Sequence, residues 1–161
     1  LESLACILFS LTRSPNTYFS IALEPSVLSS VGISEMYLLG LVQTVSSKAS
    51  DHLTQTERQL LEYFAGKRKK FSIKLDISGT EFQESVWYAL NKISYGKTVS
   101  YAQQAKLVRK PKAFRAVGSA NGKNPVAIIL PCHRVIASNG TLGGYGGGLS
   151  IKRKLLALET S

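Results

Sequence analysis

Cysteines and long apolar runs are scarce in this sequence, and both scarcities narrow what the protein can do. The two cysteines, Cys6 and Cys132, lie 126 positions apart and cannot build a disulfide framework. This usage predicts a reducing, intracellular compartment, and it does not distinguish the cytoplasm of a prokaryote from the nucleus of a eukaryote. No apolar run approaches the roughly 20 residues of a membrane span, so no membrane partner is expected. Glu2 stands where a signal peptide would carry a basic flank, which argues against one.

Acidic residues are nearly absent from the second half of the chain. The formal net charge is +10. Between Leu1 and Gly79, 8 basic residues face 7 acidic ones, whereas the stretch from Thr80 to Ser161 holds 12 basic and 3 acidic residues. Charge concentrated in one half predicts a polyanionic partner, most simply nucleic acid. The alternative is a solubility charge spread over the surface.

The composition describes a globular protein of one ordinary domain or two small ones. The chain has 161 residues, of which 44% are hydrophobic and 19% charged. Its character changes at about residues 77–79, where we predict a domain boundary. The predicted fold class is α+β: a small mixed α/β domain over residues 1–76, packed on a mainly helical domain with a helix-turn-helix over residues 77–161.

The first half combines strand-like and helical patterns. The short apolar runs ACILFSL and YFSIALE flank the turn-forming TRSPNT. The run EMYLLGLVQTV fits a strand or a helix. The segment DHLTQTERQLLEYFAG predicts a helix from its apolar spacing, with Gly66 ending it.

Capping boxes predict the starts of two helices in the second half. In a capping box, the side chains of a Ser or Thr and of a Gln three residues later each accept a hydrogen bond from the other residue's backbone N–H. Thr80 and Gln83 open the first helix, and Ser100 and Gln103 open the second. The first has an apolar face that we expect Trp87 and Tyr88 to widen. That face consists of Phe82, Val86, Ala89, Leu90 and Ile93.

A third helix is predicted over PKAFRAVGSANG, with Pro111 in its first turn and Gly122 at its end. With the preceding helix it forms a helix-turn-helix unit. It is expected to carry Lys112, Arg115 and Lys123, and the residues between them are mostly small. Those small residues are Ala113, Ala116, Gly118, Ser119 and Ala120. Such a surface fits closely against a neighbouring helix or a DNA groove.

Cys132 stands at the end of the apolar run NPVAIILPCHRVIA, before His133 and Arg134. A buried cysteine usually fills space, but a core does not accept unpaired His and Arg. A thiolate activated by a histidine, itself oriented by a carboxylate, is the chemical alternative. Neighbours on an extended segment point to opposite sides, so a turn or a bridging water is needed. Glu159 is a candidate carboxylate, although a solvent-exposed terminal charge is its plainer interpretation.

The segment GTLGGYGGGLS has six glycines in eleven residues but lacks the ending of a phosphate-binding P-loop. It predicts sharp turns that let a ligand approach the backbone, with Tyr145 as the wall of a flat pocket. Asn124 is either a simple turn residue or a pin for the loop that presents Cys132. A last helix, LSIKRKLLALET, is expected to pack through its leucines, which are Leu149, Leu155, Leu156 and Leu158.

Together these motifs resemble the O6-alkylguanine-DNA alkyltransferase family. The matching stretches, in order between Glu57 and Glu159, are LLEYFAGKRKKF, GTEFQESVWYALNKISYGKTVSY, PKAFRAVGSANGKNP, PCHRVI and GYGGGLSIKRKLLALE. The resemblance implies DNA repair without a cofactor. The protein would bind duplex DNA through the minor groove, flip O6-alkylguanine out of the helix and transfer the alkyl group to its own cysteine once. We expect a monomer; cooperative binding and O4-alkylthymine as a second substrate stay open.

The resemblance also implies roles for individual residues. Cys132 would be the acceptor, His133 a base acting through water, Glu159 the carboxylate orienting it, and Asn124 the support of the turn. In DNA binding, Tyr101 would promote nucleotide rotation and Arg115 would fill the gap in the stack. The remaining interface would be Lys112, Ala116, Gly118, Ser119 and Lys123. The guanine pocket would be lined by Val135 (through its carbonyl), Tyr145, Gly146 and Gly147.

Four positions depart from the family pattern: Ser94 replaces a proline, Arg109 a glycine, Phe114 a small residue and Gly146 a frequent serine. No metal is expected, because the first half offers only Cys6 and His52, which we interpret as a core thiol and a surface imidazole. The first alternative function is a non-catalytic lesion binder, which would lack the acceptor cysteine, so the presence of Cys132 argues against it. A DNA-binding regulator with a structural or redox-sensing cysteine is the second alternative. A cysteine hydrolase is the third alternative, but the sequence has no peptide-binding signature to support it.

Overall fold

A computed structural model of the chain describes residues 47–161. The chain divides into two units, Leu1–Asp76 and Ile77–Ser161. The predicted strands ACILFSL and YFSIALE, the run EMYLLGLVQTV and Cys6 lie outside the described residues, and the packing of the two halves stays a prediction. Within the described part, no helix is both long and apolar enough to cross a membrane.

Helix α1, Ser47–Phe64, is the predicted helix of the first unit, and it begins four residues earlier than its predicted start at Asp51. It ends just before Gly66, whose φ of 70° is the left-handed conformation that glycine adopts at little cost. Its core-facing side includes Leu60 and Tyr63, which are 2% and 0% exposed.

The second unit is mainly helical, as predicted. Its elements are α2 (Glu81–Leu90), β1 (Val99–Ser100), α3 (Tyr101–Leu107), α4 (Phe114–Gly122), a 3-10 turn (Cys132–Arg134), β2 (Val135–Ile136) and α5 (Leu149–Thr160). The two short strands pair in parallel, with Val99 opposite Val135. This pairing brings the start of α3 beside the chain that leaves the cysteine turn.

Both predicted capping boxes are confirmed. The Thr80 side chain accepts from the Gln83 N–H, and the Gln83 side chain accepts from the Thr80 N–H. Ser100 and Gln103 form the same reciprocal pair at the start of α3. Because Ser100 also belongs to β1, the cap sets the angle at which strand passes into helix, and Tyr101 is the first residue after it.

The helix-turn-helix is held together by a small core and a buried polar pair. The core residues are Val86, Ala105, Val117 and Ala120, with Phe82, Tyr101 and Val108 packed against them. Beside this core, Gln104 Nε2 donates to the Val86 carbonyl at 3.1 Å and to Asn121 Oδ1 at 3.2 Å. The Asn121 amide donates back to Gln104 Oε1 at 2.7 Å. The pair therefore joins α2, α3 and α4 at one point.

Two predicted core positions are wrong. Tyr88 is 48% exposed, because at 100° per residue it lies about 200° around α2 from the buried Val86. Leu149 is 46% exposed, because it stands at the first position of α5, and the buried positions of that helix begin at Lys152.

The predicted start of the third helix is also wrong. Pro111 and Lys112 lie in the turn before α4, which begins at Phe114. The Ala113 N–H donates to the Lys110 carbonyl at 2.8 Å, so the chain completes a separate turn before the helix starts. Lys123 follows the helix as its C-terminal cap.

We expect Gln104→Leu to lower the free energy of unfolding by about 1–3 kcal/mol, because it leaves the buried Asn121 amide without its partner. The double variant Gln104→Leu/Asn121→Leu should recover part of this loss, since both polar groups are then removed. Urea unfolding followed by circular dichroism measures both changes. Equal losses in the single and double variants would contradict the proposed coupling.

Candidate active site and nucleic-acid interface

Cys132, His133 and Arg134 form a single 3-10 turn between Pro131 and β2. The Arg134 N–H donates to the Pro131 carbonyl at 3.0 Å and closes the turn. Because these residues form a turn and not an extended segment, the side chains of Cys132 and His133 need not point to opposite sides. All three side chains are buried, and the Cys132 thiol is reduced, with the residue 8% exposed.

Asn124 braces the segment that leads to the turn. Its Nδ2 donates to the Leu130 carbonyl at 2.7 Å, and its Oδ1 accepts from the Val126 N–H at 3.0 Å. Between these contacts Ile128 has a φ of 73°, which is costly for a β-branched residue, by about 1–3 kcal/mol. The Asn124 amide thus ties together the two ends of a strained loop, immediately before Cys132.

Glu159 is a buried carboxylate, so its interpretation as a solvent-exposed terminal charge is wrong. Its side chain is 0% exposed, and its Oε1 lies 2.9 Å from His133 Nε2. Glu159 is the penultimate residue of α5, and it reaches the cysteine turn because that helix packs beside the turn. A histidine adjacent to the nucleophile and a carboxylate behind it are therefore brought together.

Arg134 is a residue of the site that the sequence reasoning did not assign. Its Nε and Nη2 donate to the two carboxylate oxygens of Glu159, each at 2.8 Å, and its Nη1 donates to the Ile93 carbonyl at 2.6 Å. The Gly96 N–H adds a bond to Glu159 Oε2 at 3.1 Å. A buried carboxylate needs such compensation. The sequence feature that could have indicated this role is an arginine directly after the histidine in an apolar stretch.

Gly96 is required at its position for a steric reason. Its φ is 69°, and a Cβ there would lie 2.7 Å from the Glu159 carbonyl oxygen. The turn after α2 can therefore approach the end of α5 only with glycine. Tyr95 supports the same approach, because its hydroxyl donates to the Leu158 carbonyl at 3.2 Å.

His133 is held as a neutral imidazole. Burial lowers its pKa from the ordinary value of 6.5, and the hydrogen bond to Glu159 opposes that shift without reversing it. Since a carboxylate only accepts, we assign the ring proton to Nε2, which makes Nδ1 the basic nitrogen. The charge of Glu159 is already compensated by Arg134, so the carboxylate does not require a protonated histidine.

The Cys132 thiol is protonated at rest. Burial raises its pKa, while the Asn124 amide and, more weakly, the positive charge of Lys152 lower it. A buried thiol of this kind reacts when a base removes its proton at the moment of reaction. The neighbouring imidazole is suited to that task.

Lys152 is the second residue that the sequence reasoning missed. It is fully buried, and its Nζ donates to the carbonyls of Val135 at 2.6 Å, Leu142 at 2.5 Å and Gly144 at 3.2 Å. Burial lowers its pKa, and the nearby Cys132 opposes the shift. Lys152 therefore ties the glycine-rich segment to β2. The sequence feature that could have indicated this role is the position of Lys152 on the same helix face as Leu155 and Glu159, whereas its neighbours Arg153 and Lys154 are exposed.

Tyr101 lies against this glycine-rich segment. Its hydroxyl is 3.4 Å from the Gly144 carbonyl oxygen. At Gly143, where φ is 65°, a Cβ would lie 2.9 Å from the Tyr101 ring, so the close approach requires glycine. On the other side of the ring, Gly118 of α4 would bring a Cβ within 3.7 Å. Tyr101 thus stands between the predicted DNA-contacting helix and the predicted pocket.

Three of the predicted pocket residues lie on the same glycine-rich segment, and the fourth, Val135, lies in β2. Tyr145 is partly buried, and a Cβ at Gly147 would lie 3.1 Å from its ring. Gly146 is exposed. Val135 is fully buried, and its carbonyl already accepts from Lys152, which leaves one lone pair for a second donor.

The outer face of α4 presents predicted small and polar residues but only one of the three predicted cations, Arg115. Arg115, Ala116 and Ser119 are exposed on it. Phe114 is 45% exposed at the start of the helix, and the Arg115 guanidinium lies 5.7 Å from the centre of its ring. The predicted cations Lys112 and Lys123 flank the helix at its two ends and are exposed.

No group of three or more His, Cys, Asp or Glu side chains within residues 47–161 is arranged to hold a metal ion. His52 is partly buried on α1. The groups that the structure brings together at the site are the thiol, the imidazole, the carboxylate and the two buried cations.

Two family models match the chain. One, described as the DNA binding domain of 6-O-methylguanine DNA methyltransferase, matches residues 81–161. The other, described as the ribonuclease-like domain of 6-O-methylguanine DNA methyltransferase, matches residues 7–77.

Curated relatives carry the name methylated-DNA–protein-cysteine methyltransferase. The relative from Methanosarcina acetivorans is 58% identical over 107 residues, which are 66% of this chain and 69% of that protein. A relative from Mycobacterium tuberculosis is 56% identical over 103 residues, which are 64% of this chain and 62% of that protein.

Two solved structures are similar to this chain in fold and in sequence. The Mycobacterium tuberculosis OGT in complex with DNA has a TM-score of 0.66 and 53% identity, covering 67% of each chain. The O6-methylguanine methyltransferase structure from the same organism has a TM-score of 0.64 and 46% identity, covering 73% of this chain and 76% of that one.

We expect Lys152→Met to raise the pKa of the Cys132 thiol, because a positive charge that favours the thiolate is removed. Each unit by which that pKa rises lowers the thiolate fraction about tenfold, so alkylation of the thiol at fixed pH should slow. The pH dependence of alkylation by a small reagent, read by peptide mass spectrometry at Cys132, measures this. Circular dichroism checks the fold, and an unchanged thiol pKa in a folded variant would contradict the assigned role.

We expect stability to decrease as the pH falls below about 6.5, because the unfolded chain then binds a proton that the buried His133 resists. The contribution is fully present above the unfolded pKa and is lost as the pH falls toward the lower folded value. Urea unfolding at intervals of about half a pH unit between about pH 7.5 and 5 measures this change in the free energy of unfolding. The His133→Gln variant should show a shallower slope; identical slopes would exclude His133 as the cause.

Proposed function

The chain belongs to the 6-O-methylguanine DNA methyltransferase family, and on this premise we propose that Cys132 is the residue that accepts the alkyl group. The protein repairs methylated DNA by transferring the alkyl group to a protein cysteine. The observation that carries the assignment is the buried turn of Cys132 and His133, with Glu159 at 2.9 Å from the imidazole.

The transfer begins with the proton of the thiol. Because burial favours the protonated thiol, His133 takes the proton through an intervening water as the reaction starts. The resulting imidazolium is stabilised by Glu159, whose orientation is held by Arg134. Arg134 is thus a positioning residue, and Glu159 acts through the histidine.

The second step forms one bond and breaks another. The Cys132 sulfur attacks the alkyl carbon and forms a thioether, while the bond between that carbon and O6 breaks. Its electron pair stays with the guanine, which takes a proton from solvent. Since a thioether has no simple route back to a thiol, each molecule acts once.

The substrate that we propose is O6-alkylguanine in duplex DNA, bound through the minor groove. The second unit, with 12 basic and 3 acidic residues, provides the attraction to phosphates. The small residues Ala116, Gly118 and Ser119 on α4 allow a close approach, and Arg115 offers a planar cation for the gap left in the stack. Lys112 and Lys123 contact the phosphates at the two ends of the helix.

Flipping costs a few kcal/mol of lost stacking, which the receiving site must offset. Tyr101 lies between α4 and the glycine-rich segment, a position from which its ring promotes rotation of the nucleotide. The flipped base then meets Tyr145, Gly146, Gly147 and the Val135 carbonyl. Lys152 keeps that carbonyl and the glycine-rich segment in a fixed relation.

Intact-protein mass spectrometry after incubation with duplex DNA carrying O6-methylguanine tests the transfer. We expect a gain of one methyl group, on Cys132, that stops at one per molecule while the lesion disappears from the DNA. The Cys132→Ala variant should bind the DNA without gaining mass. The matched control Cys6→Ala removes the other cysteine and should gain the methyl as the parent protein does.

Other outcomes separate the alternatives. Tight lesion binding with no mass change would indicate a non-catalytic lesion binder. Preference for a defined DNA sequence, with neither mass change nor lesion preference, would indicate a regulator. A methyl group found on Cys6 would refute the assignment of Cys132.

A further inference from the structure

Arg109, in the turn between α3 and α4, has a backbone conformation that favours glycine. Its φ is 57°, and the only other non-glycine residue with a positive φ within residues 47–161 is Ile128. The Arg109 N–H donates to the Lys106 carbonyl, and the Lys110 N–H donates to the Ala105 carbonyl, both at 2.9 Å. The turn is therefore a regular helix end of the kind that usually has glycine at the left-handed position.

Within residues 47–161, no side-chain contact of Arg109 explains why an arginine occupies this position. The Arg109 side chain is exposed, and no hydrogen bond, ion pair or aromatic contact to it is found among residues 47–161. Ile128, in contrast, is buried, with 4% exposure, in a loop held by Asn124. Strained backbone conformations cluster at functional sites, and an exposed side chain at such a position is accessible to a ligand.

The surroundings of Arg109 are strongly positive. Five cations occupy the ten residues from the end of α3 to the start of α4, namely Lys106, Arg109, Lys110, Lys112 and Arg115. Between Glu84 and Glu159 the sequence contains no acidic residue at all. Self-repulsion among these cations opposes the compact turn, and an external polyanion relieves it.

We propose that Arg109 binds a backbone phosphate of the DNA beside the groove that α4 occupies. The proposal rests on the DNA binding of the proposed function and adds a contact to it. The turn is joined directly to α4, because the Ala113 N–H donates to the Lys110 carbonyl at 2.8 Å just before Phe114. A phosphate held at Arg109 therefore sets the register of the helix along the strand. The guanidinium fork suits this task, since it binds a phosphate through two parallel hydrogen bonds.

The Arg109→Gly variant tests the proposal, because stability and DNA affinity should change in different directions. Glycine relieves the strained φ, so the melting temperature should stay the same or rise. The affinity for an unmodified duplex should fall three- to tenfold, and the slope of log K against log salt should decrease by about 0.9, the value for one phosphate contact. Fluorescence anisotropy between about 50 and 200 mM salt measures both quantities.

Two further variants separate the contact from general charge effects. Arg109→Lys keeps the charge and the backbone conformation but loses the fork, so it should retain most of the salt slope and lose part of the affinity. Lys154→Ala removes one exposed positive charge from α5, which lies beside the cysteine turn. It should lower affinity less than Arg109→Gly does.

The outcomes are distinguishable. If Arg109→Gly binds DNA no more weakly than Lys154→Ala, or loses stability together with affinity, Arg109 is not a phosphate contact, although DNA binding itself stands. If the unaltered protein shows no salt-dependent DNA binding, both the proposed function and this contact are refuted.

Discussion

Glu159 is the carboxylate on which the rest of the site depends, because it pairs with a histidine and an arginine at once. A buried carboxylate without a cation would be neutralised or would protonate its histidine. Arg134 compensates the negative charge, so Glu159 can stay ionised while His133 stays neutral. The imidazole is thereby available to accept a proton and already has the group that stabilises it afterwards.

A second buried cation organises the other side of the cysteine. Lys152 offers its three protons to three backbone carbonyls and so joins β2 to the glycine-rich segment. The same charge lies near enough to Cys132 to favour the thiolate. One side chain therefore couples the shape of the predicted pocket to the reactivity of the nucleophile, and Tyr101 extends this coupling toward α4.

Local signals in the sequence predicted the helices well, since a capping box such as Thr80 with Gln83 acts within one turn. They predicted the turn before α4 poorly, because Pro111 fits a first helical turn as well as a separate one. At the site, the motif around Cys132 was recognisable, but Glu159 alone resembled a surface charge. Its burial depends on Arg134 and Gly96, which are distant in sequence. Lys152 was missed for the same reason.

The hydrogen bonds around Glu159 close long loops of chain. The bond to Gly96 spans 63 residues, and the bond between Arg134 and Ile93 spans 41. Contacts of such sequence separation form late, because loop closure must precede them. A chain emerging from the ribosome therefore carries Cys132 as an ordinary thiol until the final helix docks. The base that removes the thiol proton, His133 held by Glu159, is therefore in place only once folding is complete, so alkyl transfer is confined to the finished molecule.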